Sequence, residues 1–96
     1  MTTRLIDVRG ARDILGIARS TLEKRIIEGT LPDSARMGNR RVWPLLEIQT
    51  IADCIAAGAT DDMLREICGR IMAARKFRAD AALAAIEGAS TGAGAK

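Results

Sequence analysis

The chain has 96 residues, of which 48 % are hydrophobic, but 17 are alanine, 21 are Leu, Ile or Val, and the aromatics are one Phe and one Trp. This suffices for one small domain with a thin core, near the lower limit for independent folding, where self-association is a common remedy. No histidine is present and no apolar run approaches the roughly 18 residues of a membrane span, so an enzyme and a membrane protein are both unexpected.

The net charge of +3 is unevenly spread: residues 1–44 hold nine Lys/Arg against five Asp/Glu, and residues 45–96 hold six against seven. The basic surplus lies in the N-terminal half. Cys54 and Cys68 fall within helical patterns with no histidine to complete a metal site, and they read as buried free thiols. No metal or cofactor is expected. The N-terminus shows no cleavable signal pattern, and a cytoplasmic protein is expected.

In chain order, Leu5, Ile6 and Val8 form an apolar lead-in. Ala11, Ile14 and Leu15 then repeat at helical spacing, which predicts a helix over 8–15 ended by Gly16. Three residues later a second helix is predicted from Arg19 to Glu28, with Leu22 and Ile26 one turn apart and Gly29 closing it. Gly38-Asn39 between short segments, with Val42 and Trp43 after it, predicts a small β-hairpin. Pro44 suits the start of a third helix over 45–57, with a stripe of Leu46, Ile48, Ile51, Ala52 and Ile55. Thr60 reads as the N-cap of a fourth helix whose apolar face holds Leu64, Ile67, Cys68, Ile71 and Ala74. That helix is expected to reach residue 87, with 88–96 a disordered tail.

Helix, short glycine turn, helix and hairpin is the order of a winged helix-turn-helix, here followed by a longer C-terminal helix; the class is mainly α with a small β-hairpin. The division expected is a DNA-binding domain over 1–58, a C-terminal helix over 59–87 and the tail. Packing through Ile14, Leu15, Leu22 and Ile26 would fix the second helix so that Ser20, Thr21, Lys24, Arg25 and Glu28 project on its other side. An α-helix fits the major groove, where all four base pairs are distinguishable. Ser20 and Lys24 are the expected base contacts, and Arg19 and Arg25 the phosphate contacts. The same charges also suit a merely solvated helix face; the hairpin favours DNA, because Arg36, Asn39, Arg40 and Arg41 make a basic wing for backbone or minor groove. Trp43 is expected in the core, since stacking on single strands calls for several aromatics.

The stretch LIDVRGARDILGIARSTLEKRIIEGTLP, the basic wing ARMGNRRVWP and the helix after it resemble the small winged-helix excisionases and AlpA-type phage regulators, relatives of the MerR DNA-binding domain. The resemblance covers residues 4–57. It implies a recombination directionality factor of a prokaryotic mobile element, nucleoid-associated, that binds several duplex sites cooperatively, bends DNA and biases an integrase toward excision. Carried over by position, the base-reading helix falls on Arg19, Ser20, Thr21 and Lys24, and the wing contact on Arg40 and Arg41. Two positions depart from the family pattern: Ala18 stands where a capping Ser, Thr or Asp is usual, and Glu23 where an aromatic or basic residue is usual. An acid at Glu23 can accept from a cytosine amino group.

The fourth helix extends beyond the usual compact domain, and it suits either packing on its own domain or self-association, head-to-tail or as a dimer. Alternatives to excision are transcriptional control of integrase or transfer genes, and an assembly protein resembling the small subunit of a phage terminase.

Overall fold

The computed structural model describes residues 3–94, and the side chains of residues 3–88. β1 (Leu5–Asp7) leads directly into α1 (Val8–Leu15), followed by α2 (Arg19–Glu28), β2 (Ala35–Met37), β3 (Arg40–Pro44), α3 (Leu45–Ala56) and α4 (Asp61–Gly94). The fold is a winged helix-turn-helix with a long C-terminal helix. The apolar lead-in is a strand: Leu5, Ile6 and Asp7 pair antiparallel with Pro44, Trp43 and Val42. The wing is therefore a three-stranded sheet of order β1-β3-β2, with Arg36 opposite Arg41 and Met37 opposite Arg40 in the hairpin.

The turn between α1 and α2 depends on Gly16, which has φ of 65° and donates its amide to the Arg12 carbonyl at 2.7 Å. A side chain there would be strained, because only glycine adopts this left-handed conformation freely. Asp7 caps α1, accepting from the Gly10 amide at 2.9 Å. The cap and the strand end are thus the same residue. Thr60 caps α4 as expected, its hydroxyl accepting from the Met63 amide at 3.2 Å.

One core unites the chain: Ala11, Leu22, Leu31, Trp43, Ile48 and Ile51 close with Leu64 and Cys68 from α4. The start of α4 therefore completes the core of the winged body. Trp43 is fully buried and its indole donates to the Pro32 carbonyl at 2.9 Å, so it pins the hairpin to the segment after α2. Burial raises the Cys68 thiol above its ordinary pKa, with the nearby Glu47 charge adding to the effect.

Three expectations about packing need correction. Ile14 is exposed, and the α1 contact is made instead by the smaller Ala11, which lets the helices approach closely. On α3, Leu46 and Ile55 are exposed, whereas Glu47 is buried beside Ile48 and Ile51. The buried stripe is rotated to include a carboxylate because α4 answers it: Arg75 Nε donates to both Glu47 oxygens at 3.0 Å, and Arg78 Nη2 reaches Oε2 at 3.1 Å. Hydropathy alone gives no sign of this, since a paired charge can be buried where an unpaired one cannot.

The helix also runs on past its expected end. Residues 88–94 continue α4, and the last two residues of the expected tail lie outside the described residues. Alanine is the strongest helix former, and the stretch contains no proline. With 34 residues α4 is about 51 Å long at 1.5 Å per residue, which accounts for the 55 Å long axis of the molecule. Beyond Arg78 its side chains are exposed as far as they are described, Leu83 and Ile86 among them.

Candidate nucleic-acid interface

α2 is oriented by one buried side chain, Leu22, supported by the half-buried Ile26. At about 100° per residue, Ser20, Lys24 and Ile27 then lie on the far side from the core. Ser20, Thr21 and Lys24, the expected base-reading residues, are all exposed. The helix ends at Gly29, which is in the left-handed region at φ 81° and donates to the Ile26 carbonyl at 3.1 Å.

The two flanks of α2 are held differently from that ridge. Glu23 turns to the wing, where it accepts from Arg41 Nη1 at 2.6 Å. Arg41 also donates to the Ser34 hydroxyl at 2.9 Å and lies over the Trp43 ring, 5.4 Å from its centroid. Its side chain is only 19 % exposed. Arg41 is thus a strut between the wing and α2, and the Glu23 carboxylate, expected to be open to a cytosine amino group, has a partner within the protein. On the opposite flank Arg25 reaches toward α4, 3.6 Å from Asp61. The next turn of α4 supports the helix end, because Arg65 Nε donates to the Glu28 carbonyl at 2.9 Å.

Successive strand residues point to opposite faces, which explains why Arg40 and Arg41 differ. Arg40 is 64 % exposed, and its Nη2 reaches Asp7 Oδ2 at 3.3 Å. Arg36 and Asn39 are exposed on the wing, and no carboxylate of the described residues lies within 4.0 Å of Arg36. The Asp7 carboxyl is held below its ordinary pKa of 3.8, chiefly by the Gly10 amide; partial desolvation opposes this and the Arg40 charge adds to it.

These elements enclose an open groove of about 350 Å³ lined by Asp7, Val8, Arg9, Arg12, Arg19, Arg40 and Arg41. Five guanidinium groups against one carboxylate make it a concentrated positive region. Arg9 and Arg12 were not singled out from the sequence; the signal available was their i, i+3 spacing in the first helix, which puts both on one face. Next to the groove-lining Arg19, the N-cap of α2 is Ala18, which is extended (φ −76°, ψ 161°) and supplies no side-chain cap. The first amides of α2 have no capping oxygen, so an anion can take that place.

Among the described residues no group of three or more His, Cys, Asp or Glu side chains is placed to hold a metal ion, and no helix is long and apolar enough to cross a membrane. No family model, no curated protein and no solved structure matches the chain.

Proposed function

We propose that the chain binds double-stranded DNA sequence-specifically, with α2 in the major groove and the β2-β3 wing on the adjacent backbone or minor groove. The observation that carries this reading is the arginine-lined groove joining α1, the uncapped start of α2 and the wing, directly beside the exposed Ser20–Lys24 ridge. A phosphate seated in that groove would meet Arg9, Arg12 and Arg19, and Arg40 from the wing. Ser20, Thr21 and Lys24 would reach base edges, while Arg36 and Asn39 extend the wing contact.

Within that reading the biological role is that of an excisionase, an architectural recombination directionality factor with no active site of its own. Its support is the resemblance of residues 4–57, together with the half of α4 that projects beyond the body and is available for a neighbouring copy. Titration of labelled duplexes in a mobility-shift assay should show several successive species, with affinity falling steeply with salt at a slope of about −0.9 per phosphate neutralised. Absent or salt-independent binding would exclude DNA as the ligand. An excision assay with the cognate integrase, run with and without the protein, decides the role: unchanged excision together with a single footprint over a promoter would make it a transcriptional regulator.

A further inference from the structure

We propose that Ile27 is a specificity-determining residue that reads a thymine 5-methyl group in the major groove. The inference deepens the DNA-binding reading above and rests on it.

Ile27 is 86 % exposed, more than any other large hydrophobic side chain among the described residues. It does not serve the fold: Leu22 and Ile26 supply the apolar contacts of α2, and Ile27 lies on the opposite side of the helix. Its neighbours there are Ser20 and Lys24, in the sequence i, i+4, i+7 that makes one continuous ridge on a helix. The flanks of that ridge are closed by ion pairs, Glu23 with Arg41 on the wing side and Arg25 with Asp61 on the α4 side. Ile27 therefore projects from the C-terminal end of the surface proposed to enter the groove, and it is nearer the wing flank than Lys24 is.

An isoleucine there has no donor or acceptor to offer a phosphate or a polar base edge. The one apolar group that B-DNA presents in the major groove is the C5 methyl of thymine. Packing the two together removes both from water, which compensates an exposure that gives the free protein nothing. Ser20 and Lys24 can satisfy polar edges on the adjacent pairs. The ridge as a whole then reads a short stretch with a thymine beneath its C-terminal half.

The experiment begins with selection of bound duplexes from a random pool by the full chain. Each thymine of the selected site is then replaced singly by deoxyuridine, which removes the methyl and keeps base pairing. The expected result is one or two adjacent thymines at which the replacement weakens binding about fourfold, the factor for one methyl group taken from water. Ile27→Ala should bind the thymine and deoxyuridine duplexes alike, and Ile27→Val should keep most of the discrimination. The double-mutant cycle separates this contact from any effect of the methyl on DNA shape. Full discrimination retained by Ile27→Ala, or no thymine whose methyl matters to the wild type, would overturn the inference while leaving DNA binding intact. Failure of the wild type to bind any duplex overturns the DNA-binding reading itself. Circular dichroism of both variants should match the wild type, since the side chain is outside the core.

Discussion

The two sides of the winged body use arginine in opposite ways. On the side facing α4, each of that helix's four arginines has a carboxylate partner: Arg65 with Asp62, Arg70 with Glu66, and Arg75 and Arg78 with Glu47. On the side where α1, α2 and the wing meet, Arg9, Arg12 and Arg19 have no described carboxylate within 4.0 Å, although they lie around one groove. Like charges held together without compensation cost the free protein stability. The first set is neutralised within the protein, Arg65 and Arg70 inside α4 and Arg75 and Arg78 across to α3, whereas under the proposed function the second is left for an anionic partner.

Substitution should separate these two uses. The largest effect is expected at Glu47→Ala, which leaves the largely buried Arg75 without its partner and removes the ion pairs that tie α4 to α3 beyond the shared core. We expect a loss of about 3 kcal/mol in urea unfolding, at the low end for a broken buried pair because Arg78 is partly exposed. The double variant Arg19→Ala/Lys24→Ala should behave in reverse. Unfolding free energy should stay within about 0.5 kcal/mol of wild type, whereas duplex affinity falls by roughly tenfold or more and the salt slope flattens. If the double variant binds DNA normally, the free arginine set has been assigned the wrong partner.

Ala18→Asp sharpens the contrast at one residue. A side-chain cap should stabilise α2 by about 0.5–1 kcal/mol in thermal unfolding, yet it places a carboxylate where a phosphate is expected and should weaken DNA binding. The smallest effect concerns Asp7. Its folded pKa is lowered, so its stabilising contribution is complete above about pH 4 and is lost as pH falls through the lowered value. Asp7→Asn should flatten that acid limb of a melting-temperature profile, with little effect near neutral pH beyond a weakened α1 cap.

The elements with local signals were legible in the sequence. Gly16 and Gly29 mark helix ends, Gly38-Asn39 marks the hairpin, and Thr60 caps α4, each through chemistry that acts within a few residues. β1 was not legible, because three residues are too few for alternation and their pairing is with Val42, Trp43 and Pro44, far along the chain. For the candidate site, the exposure of its side chains was legible in part. Ser20, Thr21, Lys24, Arg36, Asn39 and Arg40 are exposed where the wing and α2 face outward. Arg25 and Arg41 differ for a reason that composition cannot express: their partners, Asp61 and Glu23, lie far off in sequence and are brought close only by the fold. The same holds for Arg9 and Arg12, which gain their meaning from Arg19 and Arg40 across the groove.

The strut between Glu23 and Arg41 bears on how such a protein can evolve. Changing either residue removes a side-chain contact that links the wing to α2. Ser20, Lys24 and Ile27 carry no such obligation, since none of them enters the core or an ion pair of the described residues. Under the proposed function, new target preferences can therefore arise by single substitutions on the ridge at almost no cost to folding, while the frame that aims it stays fixed.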